Sequence, residues 1–333
     1  MKKLLLLIVL SALMGNSLKA QKLHRVNNNT DFDADFITLP AAVAAASDND
    51  TIYMEGSSIN YDGATIDKPL TIIGPGYFLS ENPETQAINT SATIDSELTF
   101  ASGSEGSTIM GCEFESGTEL TISVSDISVF RNILYQVEFN GASDNIVIIQ
   151  NYVIGHINAG LGNITNTIIS NNIIKGAIYA QSTSGPLVVS NNVCWTTNWT
   201  YPIDCHNASI QNNILINDIA TIAVNTGNTI SYNILASDGT DANGNQYNID
   251  MDLVFADFDG ALELSTDGKW DLKAGSPALD AGSGAEDCGA FGGATPYVLS
   301  GVPNLPHIYE ADVPASATSE TGLQVSIKVK SGE

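Results

Sequence analysis

The chain has 333 residues, enough for one large domain or two small ones with a sizeable core. Its 37 acidic residues outweigh 12 basic ones, for a net charge of −25. A field of that sign repels nucleic acid, anionic lipid and polyuronates unless a divalent cation intervenes, so nucleic acid is set aside as a partner.

Met1 to Ala20 read as a cleaved secretory signal. Lys2 and Lys3 precede an apolar run, Leu4 to Leu13, that is too short to span a bilayer and ends near the small residue Ala20. No cysteine closely follows that run, which argues against a lipid anchor. Cleavage would also remove Lys2, Lys3 and Lys19, leaving nine basic residues against 37 acidic ones, a net of −28. No later run is long enough for a membrane span. The expected location is the periplasm, the outer surface or the medium.

The mature domain, 21–293, opens with residues 36–47, FITLPAAVAAAS, an alanine-rich amphipathic helix suited to covering the open end of a sheet. KPLTIIGPGYFL, 68–79, reads as an early strand followed by a Gly-Pro-Gly turn. A repeat then begins: VFRNIL, IIQNYV, ISNNII, VSNNVC, IQNNIL and ISYNIL align on Asn132, Asn151, Asn172, Asn192, Asn213 and Asn233, at intervals of 19 to 21 residues. Cys112, twenty residues before Asn132, extends the register by one turn.

A fixed period of this length marks a repeat architecture. Each unit carries short β-branched runs on either side of the asparagine, has no helix-length periodic segment, and lacks the pattern of leucine-rich repeats. The expected fold is all-β: a coil of three short strands that stack in parallel, a solenoid of about 20 residues per coil, with an N-terminal capping helix. The aligned asparagines are expected to form a structural ladder, each tolerating a left-handed turn and bonding to its equivalent one coil away. Beyond Asn233 the period is lost in the polar loop 238–250. The segment ALELSTDGKWDLKAGSPALDAG looks strand-like, and 294–333 form a C-terminal extension ending in the alternating strand LQVSIKV.

Three segments carry a family resemblance. DFITLPAAVAAASDNDTIYMEGSSINYDGATIDKPLTIIGPGY resembles the opening of secreted right-handed parallel β-helix proteins with the pectin-lyase-like fold. GNQYNIDMDLVF with DGKWDLKAGSPALDAG resembles their closing coil, with Leu253 where proline is usual. DCGAFGG and PYVLSGVPNLPHIYE resemble the C-terminal ends of such proteins from Bacteroidetes-type bacteria. The resemblance implies a single right-handed parallel β-helix, a fold that hosts lyases, hydrolases, esterases, adhesins and proteins of no known function.

A lyase of this fold would need a basic residue to take the proton α to a carboxylate, and cations to stabilise the enolate. The mature chain has two arginines, Arg25 and Arg131. Three positions after the ladder asparagine come Tyr135, Ile154, Lys175, Trp195, Ile216 and Ala236, so Lys175 and Trp195 should be neighbours, with His156 nearby. His156, Lys175 and Arg131 are the candidate catalytic groups. The Asn-Thr-Asp, Asp-pair, Gly-His-Gly and Arg-Ile-Lys set that the resemblance implies for hydrolases is represented by Asn29, Thr30 and Asp31 alone, ahead of the first coil.

The insertion CWTTNWTYPIDCH, 194–206, gathers Trp195, Trp199 and Tyr201, rings able to stack on sugar faces. Cys194 and Cys205 bracket it at a spacing that allows a disulfide in an exported protein, whereas Cys112 should be a buried free thiol. No metal site is assigned, since His156, Asp204 and His206 lack ligand spacing. No cofactor is expected apart from calcium, for which loop 238–250 has some oxygen ligands but no closing glutamate. The leading expectation is an exported, non-catalytic protein that binds a glycan or partner along one face of the rod. The alternative is a polysaccharide lyase or glycoside hydrolase.

Overall fold

The computed structural model describes residues 21–160, 162–181, 185–196, 200–317 and 322–331. The proposed signal, 1–20, and Trp199 lie outside the described residues. Residues from Leu23 to Leu235 form the expected parallel β-helix, built from three long sheets in which every neighbouring pair of strands is parallel. Sheet A has ten strands: Leu23–Val26, Thr51–Met54, Thr71–Ile73, Thr108–Met110, Ser128–Phe130, Val147–Ile149, Thr167–Ser170, Leu187–Ser190, Ala208–Gln211 and Thr229–Ser231. Sheet B has eight two-residue strands, from Thr93–Ile94 to Ile234–Leu235, and sheet C has seven, from Thr65–Ile66 to Ile203–Cys205. Val129, Ile148, Ile169, Val189 and Ile210 of sheet A meet Leu134, Val153, Ile174 and Leu215 of sheet B in one continuous interior.

Helix α1, Leu39–Ala45, closes the N-terminal end. Thr38 caps it through a hydrogen bond from the Ala41 N–H, Pro40 sits in the first turn where its missing donor costs nothing, and Leu39, Ala42 and Val43 join the core.

The turn from sheet A to sheet B holds the ladder, and its details correct the expectation by one residue. The left-handed position belongs to the residue before the ladder asparagine: Gly111 (φ 69°), Arg131 (53°), Gln150 (60°), Asn171 (54°), Asn191 (54°), Asn212 (59°) and Tyr232 (57°). The ladder asparagines themselves point inward and are fully buried. The Oδ1 of Asn172 accepts from the backbone N–H of Asn151 (2.9 Å) and from its Nδ2 (3.0 Å). Its own Nδ2 donates to the carbonyls of Ile148 and Ser170, both at 2.9 Å, and to Asn192 Oδ1 at 3.0 Å. The same set recurs at Asn132, Asn151, Asn192, Asn213 and Asn233.

Both ends of the ladder reach further than the repeat suggests. Cys112 donates its backbone N–H to Asn132 Oδ1 at 3.0 Å, and its thiol meets the Met110 carbonyl as a ladder amide would. At the other end Asn245 takes the next rung, accepting from the Asn233 N–H at 3.0 Å although only twelve residues separate them. Loop 238–250 therefore closes the rod.

Sheet B is covered on its outer side as well. Ile133, Tyr152, Ile173, Val193, Ile214 and Ile234 face outward and are buried under Met251, Val254, Phe255, Trp270, Ala278, Cys288, Ala290 and Tyr297. The stretch expected to be strand-like forms no strand; it holds a 3-10 turn, Gly268–Trp270, and from Asp280 the chain runs back along the rod as an irregular strap. Side chains of the left-handed residues fasten the strap. Asn212 Oδ1 accepts from the Ser283 N–H (2.8 Å), Asn191 Nδ2 donates to Asp287 O (3.1 Å), and Asn171 Nδ2 donates to Ala290 O (2.9 Å) and Gly292 O (2.7 Å). Gln150 Nε2 reaches Pro296 O (2.6 Å) and Arg131 Nη1 reaches Val302 O (2.8 Å). A left-handed turn every coil thus aims one polar side chain outward at regular spacing.

The strap's far end is pinned by a buried carboxylate. Asp267 accepts from Asn82 Nδ2 (3.0 Å), the Ser300 N–H (2.7 Å) and the Tyr297 hydroxyl (3.4 Å), and Tyr297 shares a 2.7 Å hydroxyl contact with Tyr77. Burial pushes both tyrosines well above their ordinary pKa, so they remain neutral partners. Beyond the strap, His307–Asp312 and Ser326–Lys330 form an antiparallel ribbon.

The disulfide expectation is overturned. Cys194 and Cys205 are free and buried, because they occupy inward strand positions on sheets B and C, not the ends of an exposed loop. Cys112 is a buried free thiol as expected, and burial pushes Cys112 and Cys194 up to about 12.

Asn172→Ala would leave the buried Asn151 N–H without its acceptor and take the side-chain donor away from the Ile148 and Ser170 carbonyls, a loss on the order of 3–5 kcal/mol in unfolding free energy by urea titration. Asn171→Ala, one residue away, removes the hydrogen bonds to the strap and an asparagine suited to the left-handed turn, while the Ala290 carbonyl keeps the Tyr297 N–H, and should cost about 1–2 kcal/mol. Equal costs at the two positions would contradict the division of roles.

Candidate functional site

The outer face of sheet C is where side chains with chemistry are gathered. Strand pairing places Thr65, Thr99, Thr121, Glu138, Asn158, Tyr179 and Asp204 side by side, one per coil. With strands about 4.8 Å apart, the seven-member row extends roughly 29 Å. Alternation along each strand sends these side chains outward while Leu98, Leu120, Val137, Ile157, Ile178 and Ile203 fill the core.

The row is cross-linked by neutral amides and hydroxyls. Thr99 and Thr121 donate to Glu97 Oε1 at 2.9 and 2.8 Å. Glu138 Oε1 accepts from Gln136 and, at 2.9 Å, from Asn158 Nδ2. Asp204 accepts from Gln181 Nε2 (2.6 Å) and Asn225 Nδ2 (2.7 Å). Each carboxylate thus keeps a fixed orientation while remaining partly open to solvent.

His156 and Tyr179 supply rings in the middle of this face, with centroids 5.5 Å apart and planes inclined at 48°. The Ala177 N–H donates to His156 Nδ1 at 3.0 Å, which places the proton of the neutral imidazole on Nε2. Partial burial lowers the pKa of His156, against an opposing pull from Glu138. The turn carrying His156 packs tightly on the next coil: a Cβ on Gly176 would lie 1.9 Å from the Gly155 carbonyl oxygen, so only glycine fits there.

Lys175 and Trp195 are neighbours, as the register implies, with Nζ 5.3 Å from the ring centre. Trp195 also lies 5.3 Å from the Trp270 ring and 6.5 Å from Tyr152, and Lys269 Nζ is 5.6 Å from its centre. The indole is thus packing between coil and strap. Tyr201 is exposed and lies two residues before the start of the sheet-C strand Ile203–Cys205. Arg131 sits on a different corner, against a cleft of about 730 Å³ beside the strap, where its guanidinium bonds to Gln150 Oε1 (2.9 Å) and Val302 O (2.8 Å). The fold brings His156 onto the polar face, sets Lys175 at the Trp195 corner, and gives Arg131 to the strap.

Spacing bears on hydrolysis. Glu138 and Asp204 stand three coils apart, about 14 Å, beyond the 5–9.5 Å of paired glycosidase carboxylates. Among the described residues no three His, Cys, Asp or Glu side chains are grouped to hold a metal ion, and no helix is long and apolar enough to cross a membrane.

No protein-family model and no curated protein matches the chain.

Sequence reasoning missed Glu138, Asn158, Tyr179 and Asp204 as a set. Asn158 and Tyr179 stand seven residues after their ladder asparagines and Glu138 six, but the insertion after Trp195 pushes Asp204 to twelve.

Because the folded pKa of His156 is below its unfolded value of about 6.5, the unfolded chain binds more protons between the two. The contribution of the neutral ring is present above about pH 6.5 and is lost as pH falls through the lower folded value. His156→Gln should flatten that limb of a melting-temperature profile between pH 7 and 5, and an unchanged slope would show that His156 does not titrate there.

Proposed function

We propose that this is an exported, non-catalytic β-helix protein that binds an extended, uncharged glycan along the outer face of sheet C. The observation that carries the reading is the in-register row from Thr65 to Asp204, which offers hydroxyl, amide, carboxylate and phenol groups at one spacing over roughly 29 Å. A polysaccharide is a repeating polyol, and such a ladder matches hydroxyls along the chain while Tyr179 and Tyr201 offer ring faces. The strong negative charge favours a neutral polymer over a uronate. The resemblance of the opening and closing segments to secreted proteins of the pectin-lyase-like fold supports export.

A lyase or hydrolase on the same face is the second reading. The 14 Å separation of Glu138 and Asp204 and the occupied Nδ1 of His156 weigh against it.

The test is retention of the mature chain on a panel of neutral and acidic polysaccharides, with product formation followed in parallel. Tyr179→Ala combined with Asn158→Ala should weaken binding to a neutral polymer at least tenfold, with the melting temperature within a few degrees of wild type. Retention unaffected by both changes would remove sheet C from the account, and new reducing ends or unsaturated uronate would replace binding by catalysis.

A further inference from the structure

The outer face of sheet A differs in character from the other two. Its ten strands present twenty outward positions, from Leu23 and Arg25 to Thr229 and Ser231. None is acidic, on a chain with 37 acidic residues, and Arg25 at the extreme end is the one charge. One row runs Tyr53, Ile73, Met110, Phe130 and Ile149 on successive strands, and the parallel row includes Val147, Ile168 and Val188. The remaining positions are serine, threonine and Gln211. Ile168 is 41% exposed, and Val147, Val188, Met110, Phe130 and Ile149 are half-buried, as befits side chains standing on an open sheet. At the N-terminal end Pro303, Leu305 and Pro306 of the strap border Leu23, Tyr53 and Ile73 around a groove of about 720 Å³, extending the apolar surface.

We propose that this face is where two copies of the chain associate, sheet A against sheet A about a two-fold axis. Two arguments select a second copy. The first is charge: each chain carries a net charge of −25, so copies repel in most orientations, and the sheet-A face lets them meet without opposing carboxylates. The second is area. Nine steps of about 4.8 Å give a length of roughly 43 Å, and strands of three or four residues give a width of roughly 10–13 Å. That is about 500 Å² per copy, or approximately 1,000 Å² over the two, the lower bound for a specific interface, and the strap border adds to it. A pleated surface free of acidic side chains, presented twice, satisfies the self-complementarity of an isologous contact, with the two sheets about 10 Å apart.

The experiment is the mass of the full mature chain by sedimentation and light scattering between roughly 1 and 100 µM, where interfaces of this modest size dissociate. The wild type should reach twice the chain mass, and added salt should increase the dimer fraction by screening the like charges. The pair Ile168→Lys and Val188→Lys points into solvent in the single chain, so it should halve the mass while leaving circular dichroism and melting unchanged. A wild type that stays at single-chain mass to the top of the range overturns the proposal. So does a folded double variant that remains dimeric, and so does growth beyond two copies without a plateau.

Discussion

Everything in this molecule depends on a buried backbone turn that must be satisfied once per coil. Where sheet A bends into sheet B, the peptide N–H of the corner residue points into the interior, and an unpaired buried donor there would cost about 1–3 kcal/mol per coil. The asparagine side chain answers that need, because one amide provides an acceptor for the neighbouring coil's N–H and two N–H donors shared among two carbonyls and the oxygen of the next rung. Seven asparagines in succession, with Cys112 at one end, hold coil on coil in one register.

That register gives the three outer faces their different fates. The first residue after each ladder asparagine points outward from sheet B, and in this chain it is apolar from Ile133 to Ile234; it demands a cover, and the strap supplies one. Burying each such side chain contributes roughly 1.5–3 kcal/mol, so rod and strap stand or fall together. Sheet C carries the polar row on which binding is proposed, and sheet A is left without acidic side chains.

Much of this was legible in the sequence, and the parts that were not have identifiable causes. The 20-residue period gave the solenoid, the ladder, and the contact of Lys175 with Trp195. The left-handed residue was misplaced by one because Asn171–Asn172, Asn191–Asn192 and Asn212–Asn213 fill both positions of the turn with asparagine. Arg131, Gln150 and Tyr232, which occupy the first position elsewhere, show which slot tolerates variation. The strap has no period and few regular backbone bonds, so pattern alone read it as strand, although two adjacent apolar residues after each asparagine already called for a cover. Cys194 and Cys205 looked like loop brackets by spacing, yet alternation sends both side chains inward. The polar row escaped notice because its offset from the ladder changes from six to seven to twelve.

The most direct test of the ladder as the common support is amide hydrogen exchange of the intact chain, resolved by segment. If the ladder and strap form one cooperative unit, the backbone N–H groups of Tyr152, Ile173, Val193 and Ile214, which bond to ladder carbonyls, should exchange only through global unfolding. Gly289 and Tyr297 in the strap should exchange at the same free energy, well after the terminal ribbon. Exchange of the ladder amides through local opening, ahead of the sheet-C strands or independently of the strap, would contradict the account.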